Sequence, residues 1–543
     1  MEDILGIYWN YIDEILCFAA IISILLFSTF GARLRRARNR DAPPGQPPRT
    51  VAIVSIAIVL AYVLLGLLYL FSRSYSDYGE PVIPLLAENA RHGLPIYSPI
   101  GSPHSVTGSN YGPICFLLEL PALFSGLGLW STKLLGIIAS VGGAAISFWV
   151  FARRVGLTIA LYVEAIVLAL LLSQQHLYPL WDRPDSFLIF NTALAIALCE
   201  ISNPYIALLG IAALAGFDSG LKIFGFIYLS PLAFIAASRC RSVASLAITV
   251  FAGAVVFAAI VYLPFVLPSF SLKDYLDNLF LMRGQGVSTW LIIKSLSFEV
   301  SLLGVLIAPL LIRRGWVDIG AIVTLGVASS LVAVVAGKPG GGPAYLMPFI
   351  PISAYLAVRA ISAPSNDAAV TRREAMPAFA LLLLAFALVV APNLAYLEYR
   401  RIVDITRVHI DVSKENELRS IFIRYPDAEM GHGGTFKNPD EYYRVEKAFL
   451  GQAVRFDYVN FADQRAAGMS SAPLAAMFAS CAIPRWVFAR NAPPFSGTMG
   501  YFDKPLLGEA ALAAFNQHYA LEALYPRYGV WACRAKTVTV AHG

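Results

Sequence analysis

Apolar runs broken by short polar intervals fill the first 396 residues. Each is roughly 17 to 25 residues long, the length a helix needs to cross ~30 Å of hydrocarbon. The pattern predicts about twelve spans: 13–31, 51–71, 130–152, 156–173, 185–201, 204–218, 222–238, 244–267, 297–313, 317–336, 343–360 and 376–396. A further apolar piece, 113–128, carries Glu119 and Pro121 and reads as a juxtamembrane or re-entrant helix. Counted as a crossing, it would invert every later orientation.

From residue 397 to 543 the pattern changes to mixed charge with no run of span length. That stretch reads as a compact domain, and its size of about 150 residues is ordinary. "VSKENELRSIFIRYPDAEMGHG" predicts a helix and then a break, and "EYYRVEKAFLGQAV" a second helix. "AIPRWVFAR" and "YGVWACRA" alternate aromatic or β-branched residues with others, as strands do. The fold class expected is an all-α polytopic membrane domain over 1–396, followed by a small α/β domain over 397–543.

Composition agrees. The chain is 57% hydrophobic and 14% charged, against about 25% charged for soluble domains. The net charge of +6 does not point to nucleic acid, because the basic residues cluster at span ends. Arg33, Arg35, Arg36, Arg38, Arg40 and Arg49 fill one loop, and Arg153/Arg154, Arg239/Arg241, Arg313/Arg314 and Arg359/Arg372/Arg373 mark four later turns. With twelve spans all five sites fall on one side, the cytoplasmic side by the positive-inside rule. The N-terminus, the 73–129 loop and the C-terminal domain then face outward. The first span has acids before it and arginines after it, and reads as an anchor rather than a cleaved signal. Cys481 and Cys533 fall in the exported stretch, where a disulfide is permitted and two free thiols are an equal alternative.

Chemistry-bearing residues concentrate in the outward loops. The largest opens "RSYSDYGEPVIPLLAENARHGLPIYSP" and carries Arg73, Asp77, Glu80, Glu88, Arg91 and His92. Asp77 and Glu80 are three residues apart, so a helical turn would face both carboxylates one way. A partly desolvated carboxylate at the membrane boundary is suited to general-base work; a hydrated loop acid is the plainer alternative. "WDRPD" supplies Arg183 and Asp185: Arg183 either snorkels as an anchor or grips a phosphate with its planar fork. Lys222, in "LAGFDSGLKIFGFIYLSP", lies close to hydrocarbon, where an ionisable group is a functional candidate by default; the alternative is a lysine in a tight turn paired with Asp218. Lys338 sits in "GKPGGGP", whose exposed amides suit a phosphate, or which merely connects. Lys273, Arg283 and Lys294 with Tyr275 and Trp290 suit a segment lying on the membrane surface. No CxxC or HExxH motif signals zinc.

Taken in order, "GLPIYSP", "YGPICFLLELPALF", "WDRPDSFLIF", "LLGIAALAGFDSGLKIFGFIYLSPLAF" and "GKPGGGPAYLMPFIPISAYL" resemble stretches of the polytopic GT-C glycosyltransferases, of the bacterial aminoarabinose-transferase or protein-mannosyltransferase kind. The resemblance covers roughly residues 50–360. It implies a polyprenyl-phosphate sugar as donor and a lipid or cell-envelope glycan as acceptor. It places the catalytic acid in the first outer loop, at Asp77 with Glu80 second. On that reading Lys222, Arg183 and Lys338 of the later loops are the candidates for the donor phosphate, and Asp185, Tyr97, Tyr111, Tyr345 and Arg283 are candidate acceptor or donor contacts. It implies a bacterial inner membrane, with the active site on the periplasmic face among membrane lipids. No cofactor is required; Asp77 with Glu80 could hold a divalent metal only weakly. The chain departs from the family in an extra early span and in lacking an adjacent pair of acids in that loop. Two alternatives stay open: a transporter or lipid flippase, and a glycan polymerase or ligase.

Overall fold

The structure is a computed structural model that describes residues 49–73, 75–172, 179–312, 319–362, 408–433, 439–498 and 505–534. The expected spans 13–31 and 376–396 lie outside the described residues. The chain divides into two units. One comprises Met1–Phe71, Lys133–Tyr262 and Val287–Val403; the other comprises Ser72–Thr132, Leu263–Gly286 and Asp404–Gly543.

The first unit is helical. It holds Arg49–Phe71, Leu157–Leu172, Pro184–Leu198, Pro204–Leu221, Ser230–Ser238, Val243–Tyr262, Thr289–Ile312, Ile319–Val335, Phe349–Ser362 and most of Leu129–Val155. Four described helices are, taken singly, long and apolar enough to cross a membrane: Val51–Phe71, Leu129–Val155, Pro204–Leu221 and Val243–Val266. Leu157–Leu172, Pro184–Leu198, Ile319–Val335 and Phe349–Ser362 are apolar but shorter. Val243–Tyr262 leaves Val243, Ile248, Phe251 and Val255 exposed along its length. So long an apolar surface is stable against lipid, not water.

Pro204–Leu221 packs on Val243–Tyr262 at close range: a Cβ on Gly216 would lie 2.9 Å from the Phe257 carbonyl oxygen. Small residues at such crossings let backbones approach where no hydrophobic effect drives helices together. The expected span 222–238 is not one helix, because a 3₁₀ turn, Gly225–Leu229, precedes Ser230–Ser238. A Cβ on Gly225 would lie 2.2 Å from the Asp218 carbonyl oxygen, so only glycine lets the chain fold back there. The expected span 343–360 likewise opens as a 3₁₀ turn, Pro343–Leu346, before Phe349–Ser362. Pro343, Pro348 and Pro351 lack the N–H groups that a continuous helix would use. Glu164 and Glu299 are buried within helices of this unit, each bonded by a serine: Ser147 Oγ donates to Glu164 at 2.9 Å, and Ser329 Oγ to Glu299 at 2.6 Å.

The second unit mixes helix and sheet. Pro113–Phe124 has 12 residues, about 18 Å at 1.5 Å per residue, too short to cross a bilayer. It buries Ile114, Cys115, Phe116 and Glu119. The first expected C-terminal helix is Val408–Arg424; the second is a 3₁₀ turn, Pro439–Val445, running into one helical turn, Glu446–Phe449. Both expected strands form, as β2 (Arg485–Ala489) and β4 (Tyr528–Cys533), joined by β1 (Ala428–Met430) and β3 (Tyr519–Leu524). The order is β1-β2-β4-β3, with β1 parallel to β2 and the other pairings antiparallel. Phe478, Trp486, Phe488, Phe495, Phe515 and Tyr519 form an aromatic core; full burial of each such side chain contributes about 1.5–3 kcal/mol. Cys481 and Cys533 pair as a disulfide. The C-terminal stretch also holds the first loop directly: Val106 bridges Phe456 in parallel.

Candidate functional site

In the second unit, Asp77 and Glu80 share one turn but occupy different environments. Glu80 is fully buried, and its Oε1 accepts the Ser76 N–H at 2.6 Å and the Asp77 N–H at 2.9 Å. Its carboxylate therefore holds the turn closed. Asp77 is only half-buried. Its Oδ1 accepts the Gly79 N–H at 2.8 Å in an Asx turn, the local bond that short acidic side chains favour. That bond fixes the direction of the Asp77 carboxylate.

Tyr97 and Tyr111 meet beyond this turn. Tyr97 is buried, and its hydroxyl donates to the Tyr111 carbonyl at 2.7 Å. Its ring packs on Phe116, Phe270 and Tyr275. Burial pushes the Tyr97 phenol well above its ordinary value, so it remains a donor. Arg283 is exposed, with its guanidinium 5.0 Å from the Phe280 ring.

In the first unit three expected residues come together. Lys222 Nζ lies 2.6 Å from Asp185 Oδ1, with both side chains buried. The ammonium also lies 4.4 Å from the centre of the Tyr345 ring, within range of a cation–π attraction. Local structure places each partner. Lys222 is the C-cap of Pro204–Leu221, and its N–H donates to the Asp218 carbonyl at 2.9 Å. Asp185 stands in the first turn of Pro184–Leu198. A cation at a helix C-terminus and an anion at an N-terminus both complement the helix dipole. Tyr345 is held by Phe224, whose ring stacks at 5.6 Å, and by the Tyr228 hydroxyl, which donates to its carbonyl at 2.8 Å.

The side-chain partner of Lys222 is thus Asp185 and not Asp218. Asp218 instead accepts Asn191 Nδ2 at 2.6 Å, fully buried. Asn191 carried no motif in the sequence. Arg183 is the N-cap of Pro184–Leu198, with its guanidinium 4.0 Å from the ring of the buried Trp181. Lys338 shapes the glycine-rich turn through its backbone: its N–H donates to Val335 and its carbonyl accepts from Gly341. Among the described residues no three His, Cys, Asp or Glu side chains group as a metal-ligand set.

The Lys222 ammonium is thus buried, bonded to the Asp185 carboxylate and faced by the Tyr345 ring.

No protein-family model matches the chain, and no curated protein matches it in sequence. Its structure is similar to the crystal structure of ArnT from Cupriavidus metallidurans bound to undecaprenyl phosphate. The TM-score is 0.52 at 12% identity, over 89% of this chain and 98% of that one. The fold is therefore that of ArnT, the GT-C architecture that the sequence resemblance implied.

Proposed function

We propose that the chain is an integral-membrane glycosyltransferase of a bacterial inner membrane, moving a sugar from a polyprenyl-phosphate donor to a periplasmic lipid or glycan acceptor. The observation that carries this reading is the fold shared with ArnT over 89% of this chain, in a structure that holds undecaprenyl phosphate.

In the proposed step the Asp77 carboxylate takes the proton of an acceptor hydroxyl. The oxygen attacks the anomeric carbon from the face opposite the phosphate, and a new C–O bond forms with inversion. The bond from the anomeric carbon to the phosphate oxygen breaks, and its electron pair leaves with the polyprenyl phosphate. That leaving group is already a stable anion and needs no general acid. Lys222 would meet the charge growing on the phosphate, with Asp185 and Tyr345 fixing its position. Such preorganised stabilisation is usually the largest contribution to catalysis. Arg183 and Lys338 are assigned secondary phosphate contacts.

Between the two loop acids the geometry supports Asp77. Glu80 is buried and accepts two backbone N–H groups, whereas Asp77 is half-buried and its carboxylate is oriented by the Gly79 N–H. The test is Asp77→Asn in purified protein supplied with a polyprenyl-phosphate sugar. Removal of a general base lowers turnover by about 10²–10⁴-fold; near-full turnover would remove Asp77 from the role.

A further inference from the structure

We propose that Arg444 and Asp457 are positioning residues for the loop acid: from the C-terminal stretch they hold the 76–80 turn, and so set where the Asp77 carboxylate stands. The proposal rests on the reading of Asp77 as the base.

Arg444 is buried, and its guanidinium bridges two acceptors. Nη1 donates to Asp457 Oδ1 at 3.1 Å, and Nη2 donates to the Tyr78 carbonyl at 3.2 Å. Tyr78 lies between Asp77 and Gly79, so the carbonyl that Arg444 holds belongs to the Asx turn that aims Asp77. The guanidinium also lies 4.3 Å from the Tyr458 ring, which fixes its plane. A planar fork with donors in set directions suits this double duty; the point charge of a lysine does not.

Asp457 is anchored in turn. Its N–H donates to the Val106 carbonyl at 2.8 Å, and its carboxylate caps Tyr458–Ala466 by accepting from Val459 and Asn460. A second clamp acts on the helix that follows the turn. The Asn89 side-chain amide donates to the Val454 carbonyl and accepts the Val454 N–H, each at 2.8 Å. Glu80 closes the turn from inside, Arg444 grips it from outside, and Asn89 holds the helix behind it. A buried arginine and aspartate are unfavourable unless paired with good geometry. Here a second guanidinium N–H of the paired arginine goes to one backbone carbonyl, beside the acid.

The experiment is a cycle in full-length purified protein: wild type, Arg444→Lys, Asp77→Asn and the double variant, assayed with a polyprenyl-phosphate sugar. Displacing a reacting group by about 1 Å can lower the rate as much as about 100-fold. We expect Arg444→Lys to lower kcat by about 10-fold or more, to leave the donor KM within about twofold, and to shift the acid limb of the pH–rate profile. In the Asp77→Asn background the same substitution should change the residual rate by less than about twofold, because there is no base left to misplace. Asn89→Ala, which removes the other clamp, should follow the same pattern and serves if Arg444→Lys does not fold. Wild-type kcat in folded Arg444→Lys overturns the proposal; so does an equal loss in both backgrounds, which would mark a purely structural role. Near-full turnover of Asp77→Asn alone overturns the reading beneath it and is seen separately.

Discussion

Lys222 Nζ lies 2.6 Å from Asp185 Oδ1, and neither side chain is more than 4% exposed. The pair joins the C-terminal end of Pro204–Leu221 to the first turn of Pro184–Leu198. It ties two helices and concentrates charge at one point beside the Tyr345 ring.

Lys222→Met should leave Asp185 buried without its cation. Losing one member of a buried pair destabilises by about 3–5 kcal/mol, so the thermal midpoint should fall clearly. Adding Asp185→Asn to Lys222→Met should recover part of that loss but none of the donor turnover. Melting curves and transfer assays on the three proteins check this; a single variant as stable as wild type contradicts it.

Glu80 and Asp77 should separate by substitution. Glu80→Gln keeps an oxygen able to accept the Ser76 and Asp77 N–H groups, so turnover should stay within a few-fold. Glu80→Ala takes the acceptor from two partly buried donors, each a loss of at most about 1–3 kcal/mol, and should lower both stability and rate. Equal losses in both Glu80 variants would instead indicate that its charge takes part in the chemistry.

Glu446 should give stability a pH dependence. Its burial, reinforced by the nearby Glu415 and partly offset by Arg419 and Arg73, pushes its carboxyl up to about 7. An unfolded glutamate titrates near about 4.3. The folded form therefore favours the protonated group, and the contribution is fully present below about pH 4 and lost as pH rises to about 7. Glu446→Gln should flatten this part of the profile, gaining thermal midpoint relative to wild type at pH 8 but not at pH 4. Melting both proteins across that range is the check, and parallel profiles would contradict it.

Cys481 and Cys533, 52 residues apart, close a loop that holds β2, β3 and β4. Removing such a cross-link typically destabilises by about 2–4 kcal/mol. The Cys481→Ser/Cys533→Ser double variant should melt earlier than wild type without reductant, and both should melt alike with it. No difference without reductant would contradict the pairing.

The sequence made much of the architecture readable because hydrophobic run length is a strong signal. Arg49–Phe71, Leu129–Val155 and Val243–Tyr262 fall within a few residues of the runs that predicted them. The interrupted spans were harder: Gly225 looks permissive in sequence, and only its contact with the Asp218 carbonyl shows why the chain turns there. Candidate residues were legible where chemistry and position coincided, as with Lys222 and Asp185. Their pairing was not, since it joins residues 37 apart across a helix-to-helix contact and Asp218 lay nearer in sequence. Arg444, Asn89 and Asp457 carried no local signal, because their partners Tyr78, Val454 and Val106 lie hundreds of residues away.

The defining act of the proposed enzyme is breaking a sugar–phosphate bond. The most direct measurement supplies purified protein in lipid discs with a polyprenyl phosphate carrying a radiolabelled sugar, plus a cell-envelope lipid and glycan extract as acceptor. It follows the label, the released lipid and the anomeric configuration of the product. The expected result is label transfer one sugar at a time, free polyprenyl phosphate in equal amount, and an inverted anomeric centre. Intact donor with no transfer, or movement of whole donor across a vesicle bilayer, would contradict it.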